Sequence, residues 1–373
     1  MAHIIDEPIE EGLLPGNRLR YFHPTKPGEV LDGRFKTIAK LGFGAGSTVW
    51  LAENLRFIKI AALDTVSSRE MTCWKLITTT NPSHEGLSFL RTPVDQFQLE
   101  GPEGMHLCLV YEPMRETLFQ LQQRARRQRL ALPLFKLFIY CLLEALDYLH
   151  TECHIIHADI KDDNIMVTIE NDTILTDFVD SQSKAPQAMH IREEDDRAIY
   201  LSKEDFGPLR CPWSYSVDIW SLGLLMWNLL EDVSLFDRPA GEDGEYDGHV
   251  HLAQMTSLLG EPPEELIKRE RLFREHRLDR PVLNSRGEEF RNMNEFWGGP
   301  FFDDNGQILR NDIVKRSKKL ADTVTELAGD EKEIFLDFAS GMLHWLPEKR
   351  KTAKELLQHP FFDSLYKDRA RYL

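Results

Sequence analysis

Positive charge is in short supply in this 373-residue sequence: 45 Lys and Arg stand against 61 Asp and Glu, a formal net charge of −16 at pH 7. That balance argues against a nucleic-acid surface as the main business of the chain, and is compatible with a basic protein as substrate. Cysteine is sparse too. The five (Cys73, Cys108, Cys141, Cys153 and Cys211) are odd in number and show no metal-ligand spacing. Reduced thiols in a cytoplasmic or nuclear protein are therefore expected, not a disulfide framework. Long apolar runs are missing. The two most apolar segments, near 134–149 and 217–230, are interrupted by Lys136, Glu144 and Asp218, so no membrane span is expected. Asp6, Glu7, Glu10 and Glu11 break up any signal-peptide-like start. No internal repeat or heptad stands out, and a monomer is expected. What remains is ordinary for a soluble chain: 42% hydrophobic and 28% charged residues, at a length that suggests two domains.

The most informative stretch is His154-Ile-Ile-His-Ala-Asp-Ile-Lys-Asp-Asp-Asn164. Its polar residues suit phosphoryl transfer. Asp159 can orient a substrate hydroxyl and accept its proton, Lys161 can reach the transferred phosphate, and Asn164 can hold a magnesium ion. A short apolar run, Ile165-Met-Val167, then reads as a strand. Taken together, the stretch resembles the catalytic loop of a eukaryotic protein kinase, and Lys161 is the residue typical of the serine/threonine type.

Further stretches extend the resemblance in the expected order. In Leu41-Gly-Phe-Gly-Ala-Gly-Ser-Thr-Val49, Gly42 and Gly44 would let backbone N–H groups approach nucleotide phosphates. Ser47 replaces the third glycine, with Gly46 one place early, a variant similar to the SR protein kinases. The resemblance makes Leu41, Gly42, Gly44 and Val49 nucleotide-binding residues, with Val49 over the adenine. It makes Lys59 the phosphate-pairing lysine and Glu70 its partner. Lys59 faces the nucleotide only if three residues, not two, join its strand to the preceding one. Phe57 takes the place of a small residue that would lie over the adenine. His106 to Met114 reads as a buried strand ending in a hinge, with Tyr111 behind the adenine and the Glu112 carbonyl and Met114 N–H bonding it. Ala158 replaces the usual Arg before the catalytic Asp, which implies no switch by a phosphorylated activation loop. Asp218, on a helix expected over 217–231, would hold the catalytic-loop backbone.

One block does not follow the pattern. Asp177 lies thirteen residues beyond Asn164, the generic spacing for the second magnesium ligand, but Val179 follows Phe178 where glycine is usual. A literal Asp205-Phe-Gly207 stands far downstream. In fungal SR-protein-kinase-like proteins an insertion similar to 197–209 precedes the metal-binding Asp and the activation segment. Here the chain runs from Leu209-Arg-Cys-Pro212 straight to Trp213-Ser-Tyr-Ser-Val-Asp-Ile-Trp-Ser-Leu-Gly223, and no Ala-Pro-Glu intervenes. Two readings stand: Asp177 is the metal ligand, or the segment that carried that ligand is missing. If the segment is missing, Arg350 has lost its acidic partner.

The expected fold is α+β, a two-lobed protein-kinase-like fold with a small β-rich N-lobe (34–113) and a larger helical C-lobe (114–363, with an insert near 237–310). An irregular extension (1–33) precedes these lobes and a tail (364–373) follows. Acidic residues Glu242, Asp243, Glu245 and Asp247 of the insert would meet arginines or simply water. The resemblance implies ATP and Mg²⁺ as cofactors and Arg-Ser-rich splicing-factor-like proteins as substrates. The alternative is a pseudokinase, a binding or scaffold module that keeps the fold without the chemistry.

Overall fold

The computed structural model describes residues 4–14, 18–44, 46–53, 55–63, 67–168, 187–192, 197–200, 205–206, 214–236, 239–241, 246–278, 280–284 and 287–366, with backbone alone at 67–70 and 205–206. Asp177 lies outside these residues, as do Glu242, Asp243 and Glu245. The chain forms two compact units.

The first unit (Met1–Leu121, Thr151–Ile155, Asp162–Pro212) is built on a sheet. Its early strands are β1 (Val30–Leu31), β2 (Phe35–Gly44), β3 (Ser47–Ala52) and β4 (Arg56–Ala61). Helix α1 (Ser67–Thr79) leads to β5 (Asp95–Gly101) and β6 (Gly104–Tyr111), and the spatial order is β1-β2-β3-β4-β6-β5. Strand β4 reads Arg-Phe-Ile-Lys-Ile-Ala. The period of two sends Ile58 and Ile60 to one face, and Phe57, Lys59 and Ala61 to the other. On the first face Trp50, Ala52, Ile58, Ile60, Cys108 and Val110 cluster with Leu31, Phe35 and Phe97. On the second, Leu51, Phe57, Ala61, Leu107, Leu109 and Tyr111 pack with Met71 and Trp74 of α1.

The N-terminal residues expected to be irregular are instead part of this unit. Besides β1 they form short 3-10 turns at Glu10–Leu13 and Arg18–Tyr21. Lys40 explains why they stay. It lies opposite Trp50 on the first face and is only 1% exposed. An ammonium so deep needs partners, and the N-terminal turn supplies them. Lys40 Nζ donates to Glu10 at 2.6 Å, to Glu11, and to the Tyr200 carbonyl at 3.1 Å. The Gln187 side chain brackets the Lys40 backbone, accepting from its N–H at 2.8 Å and donating to its carbonyl.

A short pair follows the hinge, β7 (Met114–Thr117) against β8 (Met166–Thr168). It keeps 114–117 on the first unit, so the units part after Leu121 and not at the expected boundary before Met114. Helix α2 (Leu118–Arg124) begins directly after β7. Two small pairings close the unit: β9 (Met189–Ile191) with β10 (Ala198–Tyr200), and β11 (Asp205–Phe206) alongside β2 at Phe43 and Gly44.

The second unit (Gln122–His150, Ile156–Lys161, Trp213–Leu373) is mainly helical. Helix α3 (Leu132–Asp147) buries Phe135, Ile139 and Leu143, spaced four apart on one face. Helix α4 (Ser216–Glu231) is apolar nearly all round, and Leu222, Met226, Trp227 and Leu229 are fully buried. Aromatic rings join these helices to a later one. After α5 (Gly248–Leu259), α6 (Glu264–Glu275) and α7 (Met293–Phe296) comes α8 (Gly329–Ser340), whose Phe335 ring lies 5.1 Å from Trp227 and 6.2 Å from Phe135. Helix α8 stops at Ser340, and just beyond it the Gly341 carbonyl accepts from the Lys351 N–H at 2.8 Å. Helix α9 (Ala353–Leu357) is closed at its start by a reciprocal Thr352–Glu355 capping box. In the insert, Asp247 accepts from the His249 and Val250 N–H groups and so caps α5.

Candidate active site

In the second unit the site is shaped from below by one buried carboxylate. Asp218, in the first turn of α4, is 0% exposed. It accepts from the His157 N–H at 2.8 Å, the Ala158 N–H at 2.7 Å and His150 Nε2 at 2.8 Å. The loop above it turns sharply at Ala158, whose backbone is left-handed with φ of 62°. His157 Nδ1 in turn accepts from the Asp159 N–H at 3.3 Å. The result is an exposed Asp159 carboxylate with Lys161 Nζ 3.9 Å away. The boundary between the units falls directly after Lys161, and Asn164, at the exposed end of a 3-10 turn (Asp162–Asn164), belongs to the first.

In the first unit the glycine-rich stretch is a hairpin. Gly42 pairs with Val49 and Gly44 with Ser47, and Gly46 lies in the turn. Leu41, left over at an irregularity between Lys40 and Gly42, packs on the Lys59 face. Three residues separate Ala52 from Arg56, and in this register Val49 lies directly opposite Lys59. Directly opposed residues share a face, so Lys59 stands on the Val49 side of the sheet. Glu70 is placed on α1, but its side chain lies outside what the structure describes.

The hinge holds what the motifs missed. Tyr111 closes β6 opposite Phe57, and both are buried. The Glu112 side chain is turned away, paired with Arg56 at 2.9 Å. Its carbonyl accepts from an Arg91 guanidinium nitrogen at 3.2 Å. The same guanidinium lies 4.7 Å from the Tyr111 ring centroid, 5.5 Å from that of Phe57 and 3.6 Å from the Met166 sulfur. Its Nε is buried without a partner, and burial pushes the group down to about 10 from its ordinary 12.5. No spacing rule points to Arg91. The only signal is a basic residue inside Leu87-Ser-Phe-Leu-Arg-Thr-Pro-Val94, an otherwise largely apolar run.

Comparison with known proteins gives these elements their context. Residues 35–362 match the protein kinase domain family. The chain belongs to the protein kinase family. A serine/threonine protein kinase of Aspergillus fumigatus is 30% identical over 95% of this chain and 90% of its own length. The serine/threonine-protein kinase SRPK of Physarum polycephalum is 27% identical over 91% of this chain and 88% of its own. Human SRSF protein kinase 3 is 34% identical over a shorter stretch, 40% of this chain and 28% of its own. A crystal structure of a kinase domain covers 91% of this chain and 98% of its own at a TM-score of 0.60 and 19% identity, a likeness of fold alone. The two-lobed fold expected from the motifs is thus present, and the kinase is of the serine/threonine type.

For the phosphate side of ATP the residues of this kinase fit: a glycine hairpin and a lysine on the same sheet face as Val49. For the purine side they do not fit. The Glu112 carbonyl, expected to bond adenine, is engaged by Arg91, and Phe57 fills the place of a small residue. On the metal side, Asn164 is exposed, and its expected partner Asp177 lies outside the described residues. Arg350 is bound by main-chain carbonyls. It donates to the carbonyls of His344 and Ser216, each at 3.0 Å, and lies 4.5 Å over the Trp220 ring. Among the described residues no carboxylate forms an ion pair with it, and burial holds it near 10.

Proposed function

We propose that this kinase phosphorylates serine or threonine hydroxyls in Arg-Ser-rich proteins, using ATP and Mg²⁺. The observation that carries the reading is the loop held by Asp218, which presents Asp159 and Lys161 together at the surface. In this role Asp159 orients the substrate hydroxyl and takes its proton, and Lys161 supplies positive charge beside it. ATP supplies the phosphoryl group. The acidic balance of the chain suits arginine-rich partners, and the names of two relatives, SRPK and SRSF protein kinase 3, point the same way.

The test is phosphoryl transfer by the purified chain to an Arg-Ser repeat peptide, with Asp159→Asn as control. Transfer that requires Mg²⁺ and falls at least about 100-fold in the control supports the reading. A folded sample with no transfer sinks it. The second reading, a pseudokinase that binds without catalysing, is favoured by Arg91 at the hinge and would be left standing by that result.

A further inference from the structure

The mismatch on the purine side is specific enough to assign a role. It rests on the kinase reading of Tyr111 to Met114 as the adenine-binding hinge. An adenine ring there would need the Glu112 carbonyl as acceptor, Tyr111 behind it, and the apolar side chains of β4 and β8 against it. All of these are already gathered around one flat, positively charged group. The Arg91 guanidinium bonds the Glu112 carbonyl at 3.2 Å, lies over Tyr111 and Phe57, and approaches the Met166 sulfur. Tyr111 and Phe57 face each other across β6 and β4, and Met166 comes from β8. All belong to the first unit, so the arrangement does not depend on how the units are set.

We propose that Arg91 is a removable plug at the adenine position, so that nucleotide enters only when its guanidinium leaves the Glu112 carbonyl. Three features make it removable. Arg91 forms no ion pair with a carboxylate among the described residues, so no buried salt bridge must be broken to release it. Its Nε is buried without a partner, which works against the seated position. Its long, many-bonded stem reaches the hinge from the connection that precedes β5, outside any helix or strand. What holds it in place is a carbonyl hydrogen bond and two aromatic faces, contacts a purine would itself make. Arginine and adenine therefore compete for the same partners. Arg91 sets nucleotide affinity without acting on the reacting atoms.

The test is calorimetric binding of ATP, and separately of adenosine, to the full chain and to Arg91→Val, with Arg91→Lys as a second variant. The plug acts on the base, so both ligands should gain. Arg91→Val is expected to tighten each by about 10- to 100-fold, the range spanned by removing one charge-assisted bond. Arg91→Lys loses the planar fork and should fall between. Where transfer is measurable, the KM for ATP should drop with kcat little changed. Wild-type affinity equal to or tighter than that of both variants would overturn the plug. Failure of the kinase reading looks different: adenosine affinity rises in Arg91→Val while no peptide is phosphorylated. If Arg91→Val does not fold, as judged by its melting curve, Phe57→Ala opens the same space from the other side. No gain in adenosine affinity in either Arg91→Lys or Phe57→Ala would also overturn the proposal.

Discussion

Replacing Asp218 by alanine probes the whole catalytic loop through one side chain. The carboxylate is 0% exposed and accepts from two backbone N–H groups and one imidazole, at 2.7 to 2.8 Å. Alanine leaves all three donors without their acceptor. An orphaned buried donor costs about 1–3 kcal/mol. The His157 and Ala158 amides are only partly buried, so water can recover some of that, and the expected total is about 2–5 kcal/mol. Asp218→Asn keeps one carbonyl oxygen but turns an amide N–H₂ toward a donor, and should lose about half as much. The assay is urea unfolding, reading the midpoint of the helical unit at unchanged slope. The loop would also lose the shape that holds Ala158 at φ 62° and sets Asp159 beside Lys161. Peptide phosphorylation should therefore fall further than stability alone explains. An alanine variant within about 0.5 kcal/mol of wild type would refute this reasoning, because that is the scale of substitutions touching nothing important.

Two other perturbations follow from buried charge. Lys40→Met should cost about 3–5 kcal/mol by stranding Glu10 and Glu11 without their cation, and adding Glu10→Gln and Glu11→Gln should recover most of it; thermal melting followed by Trp50 fluorescence reads both. Acid should weaken the first unit through His23, whose ring lies edge-on to His106 at 5.3 Å. Burial, with the charges of His106 and Arg197 adding to it, pushes His23 down from 6.5 to about 4. The unfolded chain thus binds a proton between those values that the folded chain refuses, so this stability is present above pH 6.5 and is lost as pH falls toward 4, by about 3 kcal/mol at most. Melting temperatures from pH 7 to 4.5 should show the decline, and His23→Gln should flatten it; an unchanged slope in the variant would assign the effect elsewhere.

Much of this kinase is legible in order along the chain. The loop from His154 to Asn164 carries its chemistry in residues a few positions apart, and local spacing is what a sequence states directly. The alternation in Arg56-Phe-Ile-Lys-Ile-Ala61 likewise announces a strand buried on both sides. Whether Lys59 shares a sheet face with Val49 hung on the length of one connection, and the register answered that. Boundaries were less legible. The N-terminal extension looked irregular because nothing near Glu10 and Glu11 shows that a lysine thirty positions on will be buried.

The sequence by itself determined the family, the loop that bears Asp159 and Lys161, and the strand that bears Lys59, because each depends on neighbours along the chain. Only the tertiary structure decided what occupies the hinge. Arg91, Glu112 and Met166 come from three separate elements, and no periodicity links them. Their meeting follows from strand pairing, which places β6 beside β4 and β7 beside β8, and from the carbonyl and two rings that receive the buried guanidinium there.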